Sequence, residues 1–448
     1  MEQVYRYIDE NKEMYVQWLQ DLCKLPSVST YDQSMKETAE VVKTYLTEAG
    51  VPTEILQMPG QQPVVYGQTS RDKESTISFY NHYDVQPEDP IELWESPPFA
   101  AEIREGKLIA RGSADNKGAL MARICAVHAY QKVYGGLPVN IKFLIEGEEE
   151  SGGSRHIKHL AATQPELLQA DLCIWENGFV NSDGSFEVKL GNKGLLFVKL
   201  VAKGANTDLH SSHASIIENP AWRLVWALNT LKNDSDEVLI EHFYDKVAQP
   251  TEGEKEILER MDLEEEEMLA RLGLDRFIRD LRGNELREKL VFQPTCNICG
   301  IESGYTGKGS KTVLPSEAWV KIDFRLVPNQ VPKEILQHLR NHLDRHGFQD
   351  IEIIANEGTQ AAKTDPDHPL VKKVMKAATK MKGIPPRVIL MNPGSGPMYA
   401  LCQQLGIPAI GFGVGNPDSR KHAPNENILI KDYLDGIKMA ATVIHEWV

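Results

Sequence analysis

Histidines and acids able to ligate a cation recur along this chain just past short apolar runs. His82 and Asp84 stand in NHYD after STISFY, and Asp115 lies in ARGSADNKG. Glu148, Glu149 and Glu150 follow VNIKFLI, Glu176 follows DLCIW, and His422 comes soon after PAIGFGVG. Two imidazoles with several carboxylates and no thiolate suit a pair of divalent cations. Zinc is the first expectation, and manganese or cobalt accept the same donor types. The simplest arrangement places Asp115 between two ions, with His82 and Glu176 on one and Glu149 and His422 on the other. A bridging hydroxide would make each ion four-coordinate. Two dications would then balance three carboxylates and one hydroxide, which matters because uncompensated buried charge is costly. Glu148 is left beside the cluster as the expected general base for the metal-activated water. Asp84 is expected to accept the second N–H of the His82 ring and orient it.

Side chains this far apart in sequence meet most simply at the carboxyl ends of strands in an open α/β sheet. The pattern predicts amphipathic helices at about 3–24 and 35–49, and strands near 76–80, 108–111, 139–145 and 171–175. A further helix is predicted at about 117–133. After GNKG the texture changes. LLFVKLVAK reads as a strand, NPAWRLVWALNTLK as a helix, and 234–290 as a charged stretch whose acidic run Glu264 to Glu267 is a solvated face. AWVKIDFRLVP alternates apolar and polar residues, VPKEILQHLRNHLDRHG reads as a helix and QDIEIIANE as a strand. The helix DPDHPLVKKVMKAATKM and the strand PAIGFG return to the first texture. The expected fold is α/β: a catalytic domain with a central mixed sheet between helices, at 1–189 and 359–448. It is interrupted by an α+β insert at 190–358.

At 448 residues, two domains are the natural expectation. A net charge of −15 argues against nucleic acid as a partner, since phosphate binding needs a basic surface. No stretch approaches the roughly 18 apolar residues that span a bilayer, and the acidic, amphipathic opening segment does not resemble a secretory signal. Six cysteines, mostly within apolar stretches, read as free thiols of a reducing cytoplasm.

Other motifs lead nowhere. Ser395 is flanked by Pro393 and Pro397 where a nucleophile elbow needs glycine. GKGSKT lacks the Gly-Lys-Ser/Thr of a phosphate loop, and Gly411, Gly413 and Gly415 lack the spacing of a dinucleotide fingerprint. Cys296-x-x-Cys299 has no second ligand pair.

The blocks FYNHYDVQP, ARGSADNKG, IEGEEESGG, DLCIWENG, DLHSSHAS, SGYTGKGSKTVLPS, DFRLVPN, NPGSGP and KHAPNENI closely resemble the M20 metallopeptidases, especially the carnosinase-like dipeptidases. They run in order from about residue 80 to 428. The resemblance implies a dinuclear metallo-dipeptidase with bridging Asp115 and base Glu148. It also implies a ferredoxin-like insert that acts as lid and forms a homodimer interface. His210 matches a histidine that reaches into the partner subunit's site and polarises the substrate carbonyl, although His213 follows closely. Arg325 matches an arginine gripping the substrate carboxylate, with Thr312 and Ser395 as further contacts. Gly394-Ser395-Gly396 precedes MYALCQQL, where amides at a helix start would hold an anion. An N-acyl-amino-acid amidohydrolase using the same centre is the alternative, tested by dipeptides against N-acylated amino acids. A metal-free scaffold relative is disfavoured because every ligand position is filled.

Overall fold

The computed structural model describes residues 1–152 and 154–448. In chain order its main elements are α1 (Glu2–Glu10), α2 (Lys12–Cys23), α3 (Met35–Glu48), β1 (Thr53–Leu56), β2 (Val64–Gln68) and β3 (Thr76–His82). Next come α4 (Gly118–Tyr134), β4 (Asn140–Glu146), β5 (Leu172–Trp175), β6 (Glu187–Lys189), β7 (Gly194–Lys203), α5 (Pro220–Leu231), β8 (Thr295–Ser303) and β9 (Glu317–Leu326). The chain ends with α6 (Pro332–Arg345), β10 (Glu352–Ala355), α7 (Pro369–Lys382), β11 (Arg387–Ile389), β12 (Ala409–Gly411) and α8 (Ile430–His445).

The chain divides into two compact units: residues 1–191 with 363–390 and 400–448, and residues 192–362 with 391–399. The sequence reading left 391–399 with the catalytic part. The backbone places it with the insert, where Lys193 donates to the Asn392 carbonyl and Arg325 reaches Ser395.

The first unit is built on an eight-stranded mixed sheet ordered β1-β2-β4-β3-β5-β12-β6-β11. Its four central strands β4, β3, β5 and β12 run parallel, with His82 level with Glu146 and Trp175 level with Gly411. β4 is buried along its whole length, as strands covered on both faces are. Helix α4 is buried from Gly118 to Tyr130 and packs against α8, so its sequence is apolar all round rather than striped. The single helix expected over 3–24 is broken at Asn11, whose side-chain amide bonds back to the Tyr7 carbonyl and competes with the helical ladder.

The second unit has the order β8-β9-β7-β10. With α5 and α6 this is a βαββαβ chain whose first strand pairs with its third and fourth, the ferredoxin-like arrangement. The alternation in β9 sends Val320, Ile322, Phe324 and Leu326 into a core with Leu224 of α5 and Leu339 of α6. Each such buried side chain contributes about 1.5–3 kcal/mol. The charged stretch after α5 holds three short helices at 252–260, 265–272 and 283–292.

Candidate metal centre

Four parallel strands end side by side, and each delivers part of the site. β3 ends on His82, β4 runs into the Glu148–Glu150 turn, β5 runs into Glu176, and the loop after β12 brings His422 back. Asp115 lies in a turn just before α4. Gly112 opens that turn at φ +82°, where a Cβ would sit 2.4 Å from Val85, and a Cβ on Gly118 would meet the Ser113 carbonyl at 2.2 Å. The buried Glu426 carboxylate accepts the N–H groups of Gly112, Ala114 and Asp115 and pairs with Arg111 at 2.8 Å. The Asp115 turn is therefore fixed by its own N–H groups donating to the carboxylate of a residue three hundred positions away.

The decisive geometry lies around Asp115. His82 Nε2 is 3.2 Å from its Oδ1, and His422 Nε2 is 3.5 Å from its Oδ2. Two imidazoles face the two oxygens of one carboxylate. Glu176 Oε2 stands 3.6 Å from His82 Nε2, and Glu150 Oε1 stands 3.2 Å from His422 Nε2. Ligating atoms of His82, Glu149 and Glu150 all lie within 4.8 Å of one another, as do those of Asp115, Glu150 and His422. His422 takes a left-handed backbone, φ +59°, a strained conformation of the kind that clusters at functional sites.

The three consecutive glutamates differ from the sequence expectation by one position. Glu148, read as the base, is turned away from the cluster. Its carboxylate accepts the N–H groups of Gln62 at 3.1 Å, Arg155 at 2.6 Å and His156 at 3.0 Å. The last two open the helix at 155–163, so Glu148 satisfies a helix start and complements its dipole. Glu150, not Glu149, meets His422 at the outer oxygen of Asp115, and Glu149 projects towards His82. The turn is held by the Asp84 carboxylate, which accepts Glu149 N at 3.3 Å and Glu150 N at 2.9 Å. The His82 Nδ1 contact expected of that carboxylate is closer to the Asp84 backbone carbonyl, at 3.0 Å against 3.4 Å.

Without cations, the charges here press on one another. Burial pushes Glu176 up to about 7, with Asp115 nearby adding to the rise against His82. Glu149 is raised well above its ordinary range by burial and by Glu176. His422 is held up to about 10 by the carboxylates of Asp115 and Glu150 beside it. Burial opposes the charge on His82, but the bonds to Asp115 and Asp84 outweigh it and raise the ring well above its usual value. Glu150 Oε1 and Glu176 Oε2 are buried without a hydrogen-bond partner among the described residues. Orphaned carboxylate oxygens beside two imidazoles are the donor set of a divalent cation site, and such sites leave the imidazole nitrogen and the carboxylate unprotonated.

A model of the peptidase family M20/M25/M40 matches residues 78–446. The chain belongs to that family. It is 28% identical over 470 residues to the Cys-Gly metallodipeptidase dug1 of Schizosaccharomyces pombe, covering 100% of this chain and 98% of that one. Among solved structures it resembles the M20 family metallo-carboxypeptidase Sso-CP2 of Sulfolobus solfataricus, with TM-score 0.91 and 38% identity over 97% of this chain and 99% of that one. Human carnosine dipeptidase 1 gives TM-score 0.81 at 26% identity, covering 100% and 99%.

The remaining expected site residues lie in the second unit. Arg325, on the polar face of β9, donates to Ser395 Oγ at 3.0 Å and lies 3.6 Å from Asp323. Ser395 precedes only a single helical turn, Met398–Leu401, rather than the longer helix expected there. Thr312 and His210 are neighbours: His210 pairs with Val313, and the Thr312 carbonyl accepts Ser211 N. His210 Nδ1 accepts the N–H of Ser212 at 3.2 Å and lies 2.9 Å from its hydroxyl. That fixes the ring and leaves Nε2 as the N–H donor. His210 and Thr312 are exposed, and Gly394 is half-buried. No described helix is long and apolar enough to cross a membrane.

Sequence reasoning passed over Glu150, which the structure brings to His422 and Asp115. It also passed over Glu426 and Asn177, whose amide donates to Asp115 Oδ1 at 3.0 Å. The acid of PNEN was open to notice as a second polar group beside His422. Nothing in the pattern marks Asn177.

Proposed function

We propose that the chain is a dinuclear metallopeptidase that removes the C-terminal residue of dipeptides and very short peptides. The observation that carries this reading is the pair of imidazoles on the two oxygens of Asp115. One ion would be held by His82, Asp115 and Glu176, and the other by Asp115, Glu150 and His422, with zinc the first choice and manganese or cobalt as alternatives. When bound, the ions supply Lewis acidity towards the scissile carbonyl and acidify water. Glu149, next to both ligand groups and free of the backbone bonds that engage Glu148, takes the proton from the attacking water and delivers it to the leaving amine. Asp84 fixes both the His82 ring and the turn carrying Glu149 and Glu150.

Arg325 with Ser395 supplies the carboxylate clamp, since a guanidinium fork matches a planar carboxylate, and Thr312, beside His210, is a further substrate contact. His210, whose Nε2 carries the proton, supplies an oxyanion donor to the site of a second subunit. A homodimer is supported by exposed apolar side chains of the second unit. Trp222 and Trp226 are exposed and stacked at 6.2 Å, and Ile298 and Ile301 are exposed on the edge strand β8. Exposed aromatic and aliphatic side chains and an open strand edge invite a partner. A cytoplasmic setting fits the six free thiols.

Metal analysis combined with a substrate panel tests the reading. Dipeptides, N-blocked tripeptides and N-acetyl or N-succinyl amino acids separate three activities: dipeptidase, carboxypeptidase (the activity named for the Sulfolobus relative) and amidohydrolase. Turnover of dipeptides that chelation abolishes and metal restores is expected. Cleavage of acylated amino acids alone would replace the peptidase reading with the amidohydrolase.

A further inference from the structure

We propose that Arg123 is a positioning residue of the metal centre, a cationic clamp that fixes the spacing between the strand ends carrying the ligands of one ion. Arg123 lies on α4, 1% exposed, beneath the carboxyl ends of β3, β5 and β12. Its Nη1 donates to the Tyr80 carbonyl at 2.7 Å and to Asn81 Oδ1 at 2.6 Å. Its Nη2 donates to the carbonyls of Trp175 at 2.5 Å, Glu176 at 3.0 Å and Phe412 at 3.1 Å. One guanidinium thus ties the residue before His82, the ligand Glu176 itself and the start of the loop leading to His422.

Two features set this group apart from ordinary core filling. Among the described residues the hydrogen bonds of Arg123 go to neutral oxygens, with the Phe79 and Phe412 rings 5.8 and 5.9 Å from the guanidinium and the Glu176 charge nearby in support. A methionine would fill the same space without the penalty of a buried charge, but it would tie nothing. The second feature is a relay of amides. Asn81 Nδ2 donates to Asn116 Oδ1, Asn116 Nδ2 donates to the Glu176 carbonyl at 3.2 Å and to Asn177 Oδ1 at 3.0 Å, and Asn177 Nδ2 ends on Asp115 Oδ1. Arg123 is thereby linked through three side chains to the oxygen of Asp115 that faces His82. Metal–ligand distances tolerate only about 0.2 Å, and a parallel sheet held by its ladder alone is free to splay at the strand ends.

This inference rests on the dinuclear reading, and its test separates the two. Arg123→Lys keeps the charge as a point donor, Arg123→Met keeps the volume, and Asn81→Ala cuts the relay and removes one acceptor of the guanidinium while leaving the buried charge in place. Each variant is prepared metal-free, melted, then titrated with zinc against a chromophoric chelator before turnover is measured. The expected result is a folded apo-protein that binds one of two ions at least tenfold more weakly. kcat should fall while KM stays within about twofold, with Lys closer to wild type than Met. Two ions bound at wild-type affinity in Arg123→Met would overturn the proposal. So would a loss of metal that merely tracks the unfolded fraction in all three variants. If the affinity shift appears while even the wild type cleaves no peptide, the clamp stands and the peptidase reading falls.

Discussion

Replacing Glu148, Glu149 and Glu150 singly by glutamine should give three different lesions from three adjacent residues. Glu148 accepts three backbone N–H bonds at 2.6–3.1 Å, two of them at the first turn of the 155–163 helix. Glutamine retains one acceptor oxygen for the Arg155 and His156 amides but turns an NH2 donor against Gln62 N. Losing one charge-assisted bond and weakening two others costs about 2–3 kcal/mol. For a unit of this size that is a fall in Tm of roughly 4–10 °C. Metal content and kcat of the folded fraction should be unchanged. Glu149→Gln removes the proton carrier without touching those bonds. The melting temperature and both ions should persist while kcat drops roughly 10²–10⁴-fold, or about 3–5 kcal/mol of barrier. Glu150→Gln takes a charged ligand from His422's ion, and the affinity for one ion should fall by roughly 10–100-fold, the loss seen even for outer partners of a metal. Differential scanning calorimetry, metal quantification and single-substrate kinetics on the same preparations separate the three. A Glu148→Gln protein that melts normally, keeps two ions and is inactive, beside an active Glu149→Gln, would refute the geometry.

Metal binding should strengthen with pH. His422 carries a proton in the metal-free protein up to about 10 and Glu176 up to about 7. Both must lose it to ligate, so affinity rises with pH through neutrality and calorimetry in buffers of different ionisation enthalpy should detect released protons. In the metal-free protein, the raised Glu176 should make folding less stable as pH climbs from the ordinary carboxylate range towards 7, because the unfolded chain releases that proton earlier. Arg325→Lys should raise KM for dipeptides by roughly tenfold or more with metal content unchanged, because an ammonium does not reproduce the bidentate fork. Trp226→Glu with Ile301→Glu should shift the protein to monomer in sedimentation. Activity should fall with it if His210 acts across the interface.

The strands that place the site were legible because their physics is local. Apolar runs of four to seven residues bounded by turn residues announced β3, β4 and β5, and an acid or histidine just past a run is where a parallel sheet leaves side chains exposed. The helix break at Asn11 and the return of 391–399 to the second unit were not legible. The first depends on one side-chain bond to the Tyr7 carbonyl. The second depends on pairing between Lys193 and Asn392, two hundred residues apart.

The one-residue displacement in the glutamate run has the same origin. Spacing says that an acid follows β4, but three acids follow it, and a turn points consecutive side chains in different directions. What selects among them is which acid meets backbone donors first. Gln62, Arg155 and His156 present three N–H groups on one side of the turn and capture Glu148. Asp84 captures the amides of the next two residues and so aims Glu149 and Glu150 at the imidazoles. The donors come from a loop after β1 and from a helix start, neither of which the run itself encodes. Chemistry at this site is therefore assigned by residues that take no part in it. Changing Asp84 to Asn should disturb Glu149 and Glu150 together, lowering both metal affinity and kcat, whereas either glutamine replacement alone moves only one.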